Sequence, residues 1–178
     1  MLKSAIAAAV AGIVLFAAVP AAAEVVERHA DGFTLRFEVA METTPEDLLG
    51  SLGEIGKWWD GAHSYSGDAA NMTLAMQPGG CFCEALTDGT AFEHGRVVSI
   101  NPATGVLLNA PLGPLKATAT KADLGFGWAS GNRGWTVVMT FMVEGPGLGA
   151  FADPVDGVMG GAFARYVRYV RYGEYGEG

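Results

Sequence analysis

The segment DPVDGVMGGAFARYVRYVRY, residues 153–172, carries the strongest signal for the fold. Asp153-Pro154 is typical of a helix start. At about 100° per residue, the apolar side chains that follow share one face of a helix. They are Val155, Met159, Ala162, Phe163, Tyr166 and Val170. No other segment is long enough to cover the apolar face of a sheet, so we expect the sheet to wrap around this helix.

The segments before this helix show the alternation of half-buried strands. Phe33 to Met41 alternates apolar and polar residues, and Trp135 to Val143 repeats the pattern. Between them, short apolar runs are separated by turn signals such as Asp88-Gly89. Thr44-Pro45 is typical of a helix start, and glycines interrupt the apolar spacing that follows it. The sequence therefore predicts an α+β fold: a curved antiparallel sheet around a long C-terminal helix, with two short helices after the first strand.

The composition excludes several classes of function. The chain has 178 residues, 11 of them Lys or Arg and 19 Asp or Glu, for a net charge of −8. Such an acidic chain does not neutralise a phosphate backbone, so no nucleic-acid partner is expected. Two cysteines are too few for a disulfide scaffold. The phosphate-binding motifs GxGxxG and GxxxxGK[ST] do not occur in the sequence, and no cofactor is predicted.

The first 23 residues have the composition of an export signal. Lys3 precedes an apolar run from Ala5 to Val19, and the small residues Ala21-Ala22-Ala23 follow. We therefore expect cleavage before Glu24, a single domain over residues 24–178, and an exported protein that is periplasmic or secreted. The apolar run is shorter than the roughly 20 residues that span a bilayer, so no membrane span is expected after the signal is removed.

Three segments of the sequence are similar to a known superfamily. They are residues 58–68 (WWDGAHSYSGD), residues 79–84 (GGCFCE), and residues 154–158 together with 163–165. They resemble an uncharacterised bacterial group of the SRPBCC (START-like, helix-grip) superfamily, often labelled polyketide cyclase-like or chaperone-ATPase-activator-like. The resemblance covers essentially the whole chain after residue 23. It implies a helix-grip fold with a hydrophobic cavity for lipids, sterols, polyketides or other apolar ligands, and it establishes no reaction.

The space between the sheet and the C-terminal helix is the expected binding site. The candidate ligand-binding residues are Trp58, Trp59, His63, Tyr65, Met159, Phe163 and Tyr166. The aromatic and helix residues among them are equally suited to a core. We expect an apolar small molecule or lipid as ligand, and the sequence does not identify a protein partner. An interaction module, the remaining possibility, would show an exposed apolar patch and no open cavity.

One hairpin carries most of the residues that are suited to catalysis. A two-residue turn at Asp88-Gly89 would place Cys83 opposite His94, and Glu84 opposite Glu93 on the other face. An imidazole activates a neighbouring thiol, and two opposed carboxylates provide an acid–base pair unless both point to solvent. The candidate catalytic residues are His63, Cys83, Glu84, Glu93 and His94. A cyclase or hydrolase type of enzyme acting in the cavity is therefore the alternative to a binding protein.

The same register would bring Cys81, Cys83 and His94 together, which are side chains that zinc accepts. One CxC with a distant histidine is short of the usual paired motifs, so no metal is predicted. A disulfide between the two cysteines would need a bulge, because regular strand spacing separates their Cα atoms by about 6.6 Å. Two free or cavity-facing thiols are expected instead.

Overall fold

The computed structural model describes residues 23–132 and 134–173. Eight antiparallel strands form one sheet in the order β1-β2-β8-β7-β6-β5-β4-β3. The strands are β1 (Ala23–His29), β2 (Gly32–Met41), β3 (Met72–Leu74), β4 (Cys81–Ala85), β5 (Ala91–Asn101), β6 (Gly105–Asn109), β7 (Lys121–Gly131) and β8 (Gly134–Glu144). The predicted signal segment lies outside the described residues except for Ala23, so it stays a prediction.

Two α-helices and several short helices complete the fold. The α-helices are α1 (Pro45–Gly53) and α2 (Ala152–Tyr172), and the short 3-10 helices are Ile55–Lys57, Gly61–His63, Ala69–Asn71, Gly113–Ala117 and Leu148–Phe151. Helix α1 begins where the sequence predicts it, because the hydroxyl of Thr44 accepts a hydrogen bond of 3.1 Å from the N–H of Asp47. None of the helices in the described ranges is long and apolar enough to cross a membrane.

The sheet holds its apolar side chains on the face that α2 covers. The alternation in the two central strands is confirmed: Leu35 and Phe37 of β2, and Met139 and Phe141 of β8, are almost completely buried. Strand β1, which the sequence analysis did not predict, pairs with β2 at the edge of the sheet. The structure thus confirms the α+β helix-grip fold, with short helices following the first predicted strand.

Helix α2 approaches the sheet closely. It begins at Ala152, two residues before Pro154, the predicted first helical residue, and buries most of the predicted apolar face. A Cβ atom on Gly160 would lie 3.1 Å from Cε1 of Phe37, so the small residue permits the close approach of helix and strand. Asp153 does not cap the helix and instead forms an ion pair with Arg28 of β1.

The turn between β4 and β5 is one residue longer than predicted. The N–H of Leu86 donates to the carbonyl of Thr90 (2.8 Å), which leaves three residues in the turn. Gly89 has a φ of 83°, the left-handed conformation that such turns require. The extra residue shifts the register by one. The predicted pairs Cys83–His94 and Glu84–Glu93 are therefore wrong.

Cys83 faces Glu93, and Glu84 faces Phe92. Beyond this point the register shifts again, so that Phe82 faces Gly95 and His94 is the extra residue of a β-bulge. Both His94 and Gly95 are buried, and the side chain of His94 joins Glu84 on the inner face. A Cβ atom at Gly95 would lie 2.5 Å from the carbonyl oxygen of Asn109, so only glycine fits beside the bulge.

Candidate functional site: an apolar cavity with a buried carboxylate–imidazole pair

A cavity of about 520 Å³ opens between α2 and the sheet. Its wall is mostly apolar, and the few polar side chains come from one loop and from β5. The lining residues are Trp59, His63, Ser64, Tyr65, His94, Leu112, Gly113, Pro114, Leu115, Phe141, Phe151, Pro154, Val155, Val158 and Met159. This is the position at which the sequence places a binding site, and the size suits a small organic ligand.

Four of the predicted ligand-binding residues line this cavity. They are Trp59, His63, Tyr65 and Met159. The other three, Trp58, Phe163 and Tyr166, belong to the core and do not line it.

Hydrogen bonds and ring contacts explain the position of these three core residues. Trp58 donates its indole N–H to the carbonyl of Ser51 (2.8 Å), and Tyr166 donates its hydroxyl to the carbonyl of Leu48 (2.8 Å). Burial raises the pKa of Tyr166, which therefore stays a neutral donor. Phe163 packs on Phe37, with ring centroids 6.0 Å apart. These side chains hold α1 and α2 in place rather than contact a ligand.

The segment between β6 and β7 contributes a wall that the sequence analysis missed. Leu112 to Leu115 lines the cavity, and Leu115 is 2% exposed. The signal in the sequence is a pair of leucines inside a segment rich in proline and glycine, where a solvent-exposed turn would carry polar residues. Phe141 adds the inner face of β8 to the same wall.

The loop after Trp59 is stabilised by hydrogen bonds of its own and by an ion pair with α2. Asp60 accepts a hydrogen bond from the N–H of Ala62 (2.9 Å) and also forms an ion pair with Arg165 of α2. The indole N–H of Trp59 donates to the carbonyl of His63 (3.1 Å). The loop therefore holds His63 and Tyr65 at the mouth of the cavity, where the side chain of Tyr65 is 54% exposed.

Glu84 is the buried acceptor that anchors this loop to the sheet. It is 0% exposed and accepts hydrogen bonds from the backbone N–H groups of Tyr65 (3.0 Å) and Ser66. Burial alone would raise its pKa. The hydrogen bonds from Ser66, Tyr65 and His94 outweigh that effect and lower the pKa to about 2. Glu84 is therefore an ionised carboxylate at neutral pH.

His94 completes a buried carboxylate–imidazole pair. Its Nε2 lies 2.8 Å from Oε2 of Glu84, and the residue is 3% exposed. Phe82 stacks on the ring at 5.0 Å and 29°, and Phe92 meets it edge-on at 5.0 Å and 68°. Desolvation lowers the pKa of His94, although Glu84 opposes this, so the imidazole is neutral at pH 7. Because Glu84 is only an acceptor, Nε2 carries the proton and Nδ1 the lone pair.

The cysteines lie on the opposite face of this hairpin and are joined by a disulfide. Cys81 and Cys83 are bonded, with Cα atoms 5.4 Å apart, and a register shift lies beside Cys83. The expected free thiols are therefore wrong, and with them the activated thiol at Cys83. A zinc site with His94 is wrong too, because a disulfide offers no thiolates and the imidazole lies on the inner face. Glu93 points outward and forms an ion pair with Arg96.

Comparison with known proteins places the fold in a broad class. No described family matches the sequence, and no curated protein matches it. Solved structures do match. An uncharacterized protein from Rhizobium leguminosarum has a TM-score of 0.54 at 19% identity, over 82% of this chain and 99% of that chain. The AHSA1-like protein from Aeromonas hydrophila has a TM-score of 0.51 at 19% identity, over 82% and 98%.

The di-domain ARO/CYC StfQ from the steffimycin biosynthetic pathway is also similar. Its TM-score is 0.53 at 11% identity, and the match spans 81% of this chain and 52% of StfQ. These likenesses confirm the predicted helix-grip fold. The chain thus shares its helix-grip architecture with one domain's length of StfQ and with the AHSA1-like protein.

Proposed function

We propose that this protein binds a hydrophobic small molecule or lipid in the cavity between the sheet and α2. The observation that carries the proposal is the cavity itself, which is open, about 520 Å³ in volume and walled mostly by apolar side chains. Removing apolar ligand surface from water contributes about 25 cal/mol per Å², less the cost of ordering the ligand. An open cavity also disfavours the interaction module, which would have none.

Filling the cavity tests this proposal. Val158→Trp places a large side chain at a half-buried position of α2 that lines the cavity. Val170→Trp is the matched control, because it is also a half-buried valine of α2 and does not line the cavity. An environment-sensitive apolar dye should bind the wild type and the control, and should lose at least about tenfold in affinity in Val158→Trp. Equal binding by all three proteins would refute the proposal.

We also propose that the protein is exported. The support is the signal-like composition of residues 1–23. The half-buried Cys81–Cys83 disulfide adds support, because disulfides persist in oxidising compartments. Intact mass measurement on protein expressed with its full sequence should give a chain that begins at Glu24 in the exported fraction. A chain that retains residues 1–23 in the cytoplasmic fraction would contradict export and leave the cavity proposal untouched.

Acid–base catalysis in the same cavity is the second candidate function. The observation that favours it is the pair of Glu84 and His94, because a neutral imidazole held by a carboxylate is a common general base. Hydrolysis of para-nitrophenyl esters with apolar acyl groups is a suitable test. Turnover above background that disappears in His94→Gln would support an enzyme. Turnover that survives this change would assign the hydrolysis to another group.

A further inference from the structure

The Nδ1 atom of His94 is an acceptor that the protein leaves available. Glu84 uses Nε2, and within residues 23–132 and 134–173 no hydrogen bond reaches Nδ1. Among the described side chains, only Oδ1 of Asp156 is both sealed from solvent and without a hydrogen-bond partner. Nδ1 of His94 is therefore not sealed, and the space that reaches this otherwise buried residue is the cavity that it lines.

The surroundings of His94 fix the ring in this orientation. The ring centroids of Phe82 and Phe92 each lie 5.0 Å from that of His94. The ring centroid of Tyr65, which belongs to the loop, lies 5.8 Å from it. Glu84 cannot turn away, because two backbone N–H groups of the loop hold its carboxylate. The site therefore presents one preoriented lone pair in an apolar cavity. Such a site discriminates strongly between ligands that can and cannot pair with it.

We propose that the ligand is a neutral, mostly apolar molecule that donates a hydroxyl hydrogen bond to Nδ1 of His94. This inference rests on the proposed binding function and names the chemical class that the cavity takes. A phenol is one such molecule, because its hydroxyl is a stronger donor than an alkyl hydroxyl and its ring is an apolar body. The apolar walls, among them Leu115 and Met159, would contact that body.

The charges around the site disfavour an anionic ligand. Glu84 places an ionised carboxylate against the far nitrogen of the imidazole. A cation that acts on His94 is the ammonium of Lys116, which lies 4.6 Å from the ring centroid of Phe92 and donates to the backbone carbonyl of Glu93. A ligand carboxylate would therefore meet an acceptor nitrogen and a buried negative charge, with this ammonium already engaged.

Three probes of similar size test the inference with the purified full chain. They are β-naphthol, which donates a hydrogen bond, its methyl ether, which only accepts, and β-naphthoate, which is anionic. Isothermal titration at neutral pH should show naphthol binding about tenfold tighter than the ether, although the ether is more apolar. Naphthoate should bind most weakly. Equal binding of naphthol and ether, or tightest binding of naphthoate, would overturn the inference.

A double variant and its matched control assign the preference to His94. Glu84→Gln/His94→Phe removes the acceptor, leaves no buried charge unpaired, and keeps one carbonyl oxygen for the loop, where Tyr65 and Ser66 donate to different oxygens of Glu84. It should abolish the preference for naphthol over the ether. The control His29→Phe/Glu144→Gln makes the same changes in an exposed pair outside the cavity. This control should retain the preference for naphthol over the ether.

The possible failures are distinguishable. Failure of the wild type to bind any probe would refute the binding function itself, and the inference with it. Binding without preference would refute the inference alone, and this comparison needs only the wild type. Should the double variant not fold, Glu84→Gln serves in its place, because loss of the fixed tautomer should also reduce the preference.

Discussion

Two Glu–His pairs in this molecule have the same chemistry and opposite surroundings. His29 and Glu144 lie 3.2 Å apart at the edge of the sheet, with side chains 45% and 38% exposed. His94 and Glu84 lie 2.8 Å apart inside the hairpin of β4 and β5, with side chains 4% and 0% exposed. Water solvates each member of the first pair whether or not the contact forms. Burial removes most of the water that could replace a lost partner in the second pair.

Burial, and not residue type, makes the pair of Glu84 and His94 a candidate functional group. Burial keeps His94 neutral, and the hydrogen bonds to Glu84 keep the carboxylate ionised. Together these effects fix one tautomer and aim one lone pair at a cavity. The outer pair would supply none of these properties to a ligand.

Removing the carboxylate should show the largest difference between the pairs. Glu84→Leu leaves the N–H of His94 and two loop N–H groups without their acceptor, so we expect a loss of about 3–5 kcal/mol in the free energy of unfolding. Glu144→Leu should cost about 0.5 kcal/mol or less. Urea denaturation followed by circular dichroism measures both. Similar losses in the two variants would mean that burial does not determine how much each pair contributes to the free energy of unfolding.

The acid dependence of stability should sharpen the same contrast. The folded-state pKa of Glu84 is about 2, below its ordinary value of 4.5, so the unfolded chain binds more protons between these values. Its contribution to stability is therefore complete above pH 4.5 and is lost as the pH falls towards 2.

The depressed pKa of His94 acts in the same direction at higher pH. Because it lies below the ordinary 6.5, acidification through pH 6.5 already begins to reduce stability. Unfolding measured as a function of pH should show a shallower acid slope in Glu84→Gln than in the wild type, and an unchanged slope in Glu144→Gln. An unchanged slope in Glu84→Gln would show that this carboxylate keeps an ordinary pKa.

The two faces of the hairpin of β4 and β5 also differ, and we expect a smaller effect on the free energy of unfolding from the outer face. Inside are Glu84 and His94, and outside is the Cys81–Cys83 disulfide. This disulfide closes a very short loop, so its removal in Cys81→Ser/Cys83→Ser should cost only about 1.5 kcal/mol. Binding of apolar ligands should persist, because the cavity wall contains neither cysteine. Titration of thiols in the unreduced, unfolded wild type should find none, and two free thiols would contradict the disulfide.

The sequence predicted the scaffold well because its signals there are local. Alternation in β2 and β8, the Thr44 cap and the apolar stripe of α2 each depend on neighbours within a few residues. The loop from Trp59 to Tyr65 could likewise be placed near the cavity from the order of the elements. Phe163 and Tyr166 could not be separated from lining residues, because the apolar face of a helix shows which side is buried and not what it contacts. Trp58 could not be separated from its neighbour Trp59, because the two adjacent side chains are of the same type.

The pairing of Glu84 with His94 depends on a shift of one residue in the register of the hairpin. A three-residue turn in place of the two-residue turn at Asp88-Gly89 reverses the facing of the hairpin, and a bulge at His94 then turns this side chain inward. Both partners were among the candidates, but each was given the wrong partner. Gly95 was the available clue, because a glycine inside a strand often marks a bulge.

The state of the two histidines should give the smallest and most specific difference. Long-range ¹H–¹⁵N correlation spectra should show His94 with a proton on Nε2 and none on Nδ1, unchanged just below pH 6.5, because burial lowers the pKa of this imidazole. His29 has no comparable enclosure, and its signals are identified by their loss in His29→Phe. Saturation with β-naphthol should shift the Nδ1 resonance of His94 and leave that of His29 in place. A proton on Nδ1 of His94 in the free protein would contradict this assignment, because the nitrogen facing the cavity would then donate, and the cavity would select acceptors instead of hydroxyl donors.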